Sequence, residues 1–199
     1  MKGRRSHPFA DRWNHNTHYL PLLASHIPPR VDSVLDVGCG DGTLRRAVGS
    51  VGRRVVGVDL DASVLPVDSS GVGYVVASAE DLPFADRTFG VVTMTMVLHH
   101  LEAERALAEA ARVLVPGSVL LVLGYGRYGG WRDAPYEVRD VVTHRLVSRR
   151  MRLWDPPTAK AAPSGTWSEA RATARDALPG CSYRRLAMWR YLVEWTKRC

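Results

Sequence analysis

A chain of 199 residues that is 46% hydrophobic, 24% charged and 8% aromatic is long enough for one domain with a real core, and two full domains would be cramped. No apolar run reaches the roughly 20 residues of a membrane helix, the basic start Met1-Lys2-Gly3-Arg4-Arg5 meets Ser6-His7-Pro8 instead of a signal-peptide core, and Cys39, Cys181 and Cys199 have neither disulfide nor metal spacing, so a cytoplasmic protein with reduced thiols is expected. The net charge of +7 is uneven: residues 1–124 carry 12 Lys/Arg against 13 Asp/Glu, and residues 125–199 carry 15 against 7.

In chain order, residues 1–30 read as an N-terminal helical segment containing Trp13-Asn14-His15-Asn16-Thr17-His18-Tyr19. Residues 31–124 then alternate strand-like and helix-like stretches, the pattern of a parallel sheet wrapped by helices. Strands are predicted at Ser33–Val37, Arg54–Asp59, Gly73–Ala77, Gly90–Thr95 and Ser118–Leu123, each short and rich in Val or Leu, as burial on both faces demands. Helices are predicted at Thr43–Val51 and Glu102–Leu114. The second is amphipathic, with Ala106, Leu107, Ala110, Val113 and Leu114 on one side, and Pro116-Gly117 is expected to end it before the fifth strand. The stretch Ala62–Gly73 is short enough that its helix is expected to shrink to a turn.

Residues 125–163 fit no strand of this repeat. They read as an inserted cap: Gly126, Gly129 and Gly130 as a hinge, an amphipathic stretch from Pro135 to about Arg152, and the loop Asp155–Pro163. Val138, Val141, Val142 and Leu146 give that stretch an apolar face suited to packing on the sheet. Arg145, Arg149, Arg150 and Arg152 give it the densest positive charge in the chain. Residues 164–199 close the domain with a helix over Thr166–Leu178 and a hairpin, Ser182–Met188 and Tyr191–Lys197, separated by Trp189-Arg190. The fold class is thus α/β: a Rossmann-like, seven-stranded, mostly parallel sheet with a C-terminal antiparallel hairpin and helices on both faces.

The chemical signal is strongest at Asp36-Val37-Gly38-Cys39-Gly40-Asp41-Gly42-Thr43, where a buried strand runs through three alternate glycines into a helix. Glycines there let the backbone turn and approach a ligand closely. A dinucleotide fingerprint, G-x-G-x-x-G, needs glycine where Thr43 stands, and a P-loop needs a Gly-Lys pair that is missing. The second strand ends in Asp59, 17 residues beyond Gly42. A carboxylate at that tip can accept hydrogen bonds from both hydroxyls of a ribose.

With Ala79-Glu80-Asp81-Leu82-Pro83-Phe84, Val97-Leu98-His99-His100-Leu101 and Arg112-Val113-Leu114-Val115-Pro116-Gly117 in the same order, the chain resembles the class I S-adenosylmethionine-dependent methyltransferases. The likeness is greatest to their small-molecule branch, which includes ubiquinone- and menaquinone-type enzymes. The resemblance implies S-adenosyl-L-methionine as cofactor. Asp36, Gly38, Cys39, Gly40 and Gly42 would hold its methionine part, and Asp59 with Leu60 its ribose. Ser78, Ala79, Glu80, Asp81 and Leu82 would border its adenine, and Met94, Thr95 and Met96 would flank its sulfonium. The chain departs from the family at Ser78, often an acid, and at Phe89-Gly90, often Phe-Asp.

Methyl transfer from a sulfonium needs alignment and a water-poor site more than a base, and a base only where the acceptor loses a proton. Histidine suits that task, so the catalytic candidates are His99, His100, His15 and His18, with Tyr19 beside them and Tyr125 as a further pocket residue. Asp155-Pro156-Pro157-Thr158 echoes the Asp-Pro-Pro-Tyr of enzymes that methylate amino groups of nucleic acids, but it lacks the aromatic residue and the position after the fourth strand. Asp133, Asp140 and Asp155 lack the spacing of a catechol-type metal site, and no metal is predicted. The expected acceptor is a small molecule, anionic or strongly polar, selected by the cap arginines. A nucleic-acid methyltransferase using the basic C-terminal part, or a non-methylating cofactor-binding protein, is the alternative. The sequence carries no sign of oligomeric state.

Overall fold

The computed structural model describes residues 7–48, 53–66, 73–156, 162–163 and 165–198. Among them five strands, β1 Ser33–Val37, β2 Arg54–Asp59, β3 Tyr74–Val76, β4 Phe89–Thr95 and β5 Leu114–Gly124, run parallel. The hairpin β6 Ser182–Arg185 and β7 Tyr191–Thr196 completes a sheet of order β3-β2-β1-β4-β5-β7-β6. β7 pairs antiparallel with β5, from Val119 opposite Thr196 to Gly124 opposite Tyr191. The helices are α1 Leu20–His26, α2 Thr43–Val48, α3 Ala103–Val113, α4 Ala134–Ser148 and α5 Trp167–Ala177. None is long and apolar enough to cross a membrane.

Two apolar clusters cover the two sheet faces. On one, Leu35, Val92, Met94, Leu120 and Val122 meet Ala106, Leu107, Ala110 and Val113 of α3 and Trp167 and Ala174 of α5. On the other, Val34, Val55, Val91, Leu121 and Leu123 meet Leu20 and Leu23 of α1 and Leu44 and Val48 of α2. Alternate residues of one strand thus enter opposite cores, which is why the strands read as near-continuous Val/Leu runs. A reciprocal capping box, Thr166 with Glu169, starts α5. The C-terminal carbonyls around α3 are met by Lys197, whose Nζ donates to Ala111 O and Leu114 O at 2.8 Å each.

Three expectations are corrected. α3 ends at Val113 and β5 begins at Leu114, so Pro116-Gly117 lies inside the strand. Leu114 pairs with Phe89, a register shift follows, and Gly117 has φ +80°, the left-handed conformation a bulged segment can demand. The hairpin strand β6 ends at Arg185, because Met188 and Trp189 take positive φ in the turn. Third, the apolar side of α4 does not pack on the sheet: Val138, Val142 and Leu146 are exposed, as is the neighbouring Trp131 at 79%. The polar side turns inward instead. Asp140, fully buried, accepts from Arg139 Nε and Nη2 at 2.9 and 2.8 Å and from the Trp189 amide at 3.2 Å, and Glu137 accepts from Trp189 Nε1 at 2.9 Å. Arg185 ties the same region together, its guanidinium lying 4.2 Å from the Tyr136 ring and 4.0 Å from the Trp167 ring while pairing with Asp133 at 2.6 Å.

The expected helix over Thr43–Val51 is seen to Val48, and its last residues lie outside the described ones, as do residues 67–72 of the 62–73 stretch and residues 157–161 of the 155–163 loop. Residues 62–64 form a turn.

Candidate active site

In a parallel sheet whose order reverses between neighbouring strands, ligands bind beyond the C-terminal ends of the strands at the reversal. Here the reversal lies at β1, between β2 and β4. A cavity of about 710 Å³ opens there, within the size range of small-molecule sites.

The glycine loop leaves β1 with Gly38, Gly40 and Gly42 at φ +69°, +50° and +70°. A Cβ on Gly38 would stand 2.5 Å from Val97, so this position admits no side chain without moving the loop after β4. Asp59, at the tip of β2, fixes the loop from outside: its Oδ2 accepts from the Gly40 amide at 2.9 Å and its Oδ1 from the Asp61 amide at 3.1 Å. A carboxylate offers about four lone-pair sites, so two remain for a ligand. Asp36 lies at the cavity floor, its Oδ1 accepting from Thr93 Oγ1 at 3.0 Å. Burial pushes its pKa up to about 7, against the lowering effect of the Thr93 bond and with help from the nearby charge of Asp59. Burial likewise raises the Cys39 thiol, which makes it an inert wall rather than a nucleophile. Thr95 Oγ1, at the end of β4, is buried without a hydrogen-bond partner.

Of the residues expected to hold the cofactor, Asp36, Gly38, Cys39, Gly40, Asp59, Leu60, Ala79, Thr95 and Met96 line the cavity. Gly42, also expected there, does not line it. Ser78 lines it as expected and Ala77 joins it, whereas Glu80, Asp81, Leu82 and the fully buried Met94 do not line it. Glu80 Oε1 accepts from the Glu102 amide at 2.8 Å. Leu82 is buried in the core, held by Glu109 and Arg112: its amide donates to Glu109 Oε2 at 2.8 Å and its carbonyl accepts from Arg112 Nη2 at 3.0 Å. Asp81 is exposed.

The other half of the cavity is bounded by the N-terminal segment, the 98–100 turn, Tyr125, and the chain after α4. His15, His99 and His100 line it, whereas His18 and Tyr19 do not. His18 stacks on His7 with ring centroids 5.3 Å apart and accepts from Trp13 Nε1 at 3.3 Å, while Tyr19 donates to Ala187 O at 2.8 Å. His15 is within 2.8 Å of His144 of α4, nitrogen to nitrogen. Burial, then the neighbouring cations and imidazoles, lowers His15 to about 4, and burial with His100 and Arg190 lowers His99 to about 4. Both are neutral at physiological pH, and both are weak bases. Leu153, Trp154, Asp155 and Pro156 reach the cavity from the cap, where the Trp154 amide donates to Trp13 O at 2.8 Å. Arg145, Arg149, Arg150 and Arg152 are exposed and do not line the cavity. The cation that does line this half is Arg190, from the hairpin turn. Sequence reasoning misses it, because nothing but its place between two strand-like runs distinguishes it there.

A sheet of this order with a glycine loop after β1 and an acid ending β2 defines a nucleotide-type crevice in a doubly wound fold. Residues 35–122 match the family model described as a methyltransferase domain. An uncharacterized methyltransferase of Mycobacterium bovis is 31% identical over 190 residues, covering 92% of this chain and 96% of its own. The chain therefore belongs to the methyltransferase-domain family. A ubiquinone/menaquinone biosynthesis C-methyltransferase of Klebsiella pneumoniae is 38% identical over 112 residues, 49% of this chain and 44% of that one. Among solved structures, the 1,6-didemethyltoxoflavin-N1-methyltransferase of Burkholderia thailandensis, with bound 1,6-didemethyltoxoflavin and S-adenosylhomocysteine, superposes with TM-score 0.61 at 20% identity, over 90% of this chain and 76% of its own. That likeness speaks to the fold.

Proposed function

We propose that the chain binds S-adenosylmethionine in the crevice and transfers its methyl group to O, N or C of a small-molecule acceptor. One observation carries the reading. The Asp59 carboxylate, with lone pairs left over, and the left-handed glycine turn at Gly38 and Gly40 line one cavity, where a polar ligand can use both. These residues fit the cofactor: Asp59 suits a ribose diol, the loop and Asp36 an amino-acid moiety, and Ala77, Ser78 and Ala79 a flat base at the tip of β3. When bound, the cofactor supplies a methyl already activated on a sulfonium.

What the chain's own residues contribute is position and dryness. Trp154 closes one wall, backed by the buried Trp13. His15 and His99 present neutral imidazoles that can orient an acceptor without repelling a cation, and Tyr125 supplies an aromatic face. With both imidazoles lowered to about 4, strong general-base assistance is not what they are built for. A small-molecule acceptor is also what the names of the Klebsiella and Burkholderia enzymes indicate for those proteins.

The test is calorimetry of S-adenosylmethionine and S-adenosylhomocysteine binding, followed by detection of S-adenosylhomocysteine across a panel of small acceptors. Cofactor binding with turnover on a small acceptor supports the reading. Binding without turnover on any acceptor favours a non-methylating role, and turnover confined to RNA or DNA overturns the acceptor class.

A further inference from the structure

Arg190 precedes β7 and reaches back into the acceptor half of the cavity, where it is 9% exposed. Its Nε and Nη2 donate to Asn16 Oδ1 at 3.0 and 2.6 Å, and its Nη1 donates to Met188 O and Trp189 O at 3.3 and 3.1 Å. All these partners are neutral. Among the described residues no carboxylate forms an ion pair with Arg190. Asp140, the acid that feels its charge, is already committed to Arg139 and the Trp189 amide. The Tyr125 ring lies beneath the guanidinium, 5.4 Å from centroid to Cζ.

A guanidinium keeps its proton even when desolvated, so burial here leaves a positive charge whose direct hydrogen-bond partners are all neutral, with Asp140 acting on it only at a distance. Such a group is held in one orientation before any ligand arrives, which is what a recognition site needs. Of its five N–H donors, the four bonds above occupy one each, and one Nη2 N–H remains for a ligand. His15 and His99 of the same half are neutral, so Arg190 is its fixed cation.

Building on the methyl-transfer reading, we propose that Arg190 is the anion-binding subsite of the acceptor pocket, and that the acceptor is a small organic anion bearing a carboxylate or an ionised hydroxyl. The selectivity expected of the exposed cap arginines thus belongs to a buried residue of the hairpin turn. An ionised hydroxyl held by Arg190 would also be a nucleophile that needs no strong base, in keeping with the weakly basic His15 and His99.

The experiment uses the full chain saturated with S-adenosylhomocysteine and titrated calorimetrically with benzoate and with its uncharged isostere benzamide. Benzoate is expected to bind at least about tenfold more tightly, a difference of roughly one decade in Kd. Arg190→Gln should abolish that preference while leaving S-adenosylhomocysteine affinity within about twofold, and Arg190→Lys should keep part of it. Equal affinities, no benzoate binding up to about 10 mM, or a preference that survives in Arg190→Gln would overturn the inference. So would a large loss of S-adenosylhomocysteine affinity in Arg190→Gln, which would assign the arginine to the cofactor's own carboxylate. The wild-type benzoate–benzamide comparison decides the matter even if Arg190→Gln does not fold. If S-adenosylhomocysteine itself does not bind, the cofactor reading falls and takes this inference with it, whereas cofactor binding without anion preference sinks this inference alone.

Discussion

The Oδ1 of Asn16 receives two hydrogen bonds from one guanidinium, from Arg190 Nε at 3.0 Å and Nη2 at 2.6 Å. This pairing joins the N-terminal segment to the far end of the chain at the cavity, which both residues line. The same segment is also held by the Trp13–Trp154 backbone bond and the His15–His144 contact. The wall of this half of the cavity is therefore assembled from three stretches remote in sequence. Asn16→Ala removes the shared acceptor of two charged donors. It is expected to cost about 1–3 kcal/mol in urea denaturation while leaving S-adenosylhomocysteine affinity intact, since the Asn16 side chain bonds to Arg190 and not to the glycine loop. Unchanged stability would mean that water replaces the amide at no cost.

Asp59 carries the second prediction. Its two oxygens already brace the loop amides of Gly40 and Asp61, so Asp59→Ala removes both a loop brace and the expected ribose acceptor. S-adenosylhomocysteine should bind at least about tenfold more weakly, equivalent to roughly 1.4 kcal/mol or more. Unchanged affinity in a folded variant would place the ribose elsewhere.

The parts of this architecture that local sequence dictates were open to reading. β1 and β2 match their predicted bounds because short Val-rich runs between turn residues have no other stable use, and the glycine loop is legible because its backbone conformation excludes other residues. The failures share a cause in tertiary choice. Periodicity shows that α4 has an apolar side, but it cannot show that Asp140 and Glu137 would win the inward position by engaging Arg139 and Trp189. Glu80 and Asp81 are polar residues beside a ligand site, yet the turn at 78–82 directs the small residues inward instead. Arg190 could have been found only by asking what a hairpin turn at the start of β7 would face.

Arg112 offers a third prediction. Its guanidinium binds Glu109 and Asp86 and donates to the Leu82 and Phe84 carbonyls at 3.0 and 2.8 Å, so it clamps the segment after β3 onto α3. Arg112→Ala should destabilise the fold by about 2–3 kcal/mol, because Glu109 and two carbonyls lose a charged donor. It should weaken cofactor binding less than Asp59→Ala does, since the clamp acts only at second hand on the cavity wall at Ala77, Ser78 and Ala79. A denaturation midpoint equal to that of the wild type would show the clamp to be a solvated surface network.

The exposed arginines give a contrasting expectation. Arg149→Ala with Arg150→Ala should change stability by no more than about 0.5 kcal/mol and leave both S-adenosylhomocysteine affinity and the benzoate preference unaltered, since neither side chain lines the cavity. A reduced benzoate preference in this double variant would return selectivity to the cap.

Asp36 is expected to make S-adenosylhomocysteine binding depend on pH, in a direction that can be fixed in advance. Burial raises its carboxyl from 3.8 to about 7. Between those values the folded chain keeps a proton that the unfolded chain has released. The group therefore detracts from stability progressively as pH rises through that window, and fully so above 7. If the ammonium of the cofactor's methionine part lies against Asp36, the opposite charge favours the ionised form and binding expels that proton. S-adenosylhomocysteine affinity should then climb between about pH 5.5 and 8 and level off above it, approaching a tenfold gain per pH unit where the proton is fully bound. Calorimetry in buffers of different ionisation enthalpy should register the release of up to one proton near pH 6. In Asp36→Asn the slope and the proton release should both vanish, and thermal stability above pH 7 should rise relative to the wild type, because an amide has no charge to desolvate. An unchanged pH slope in Asp36→Asn would assign the linkage to another group and remove Asp36 from the cofactor site.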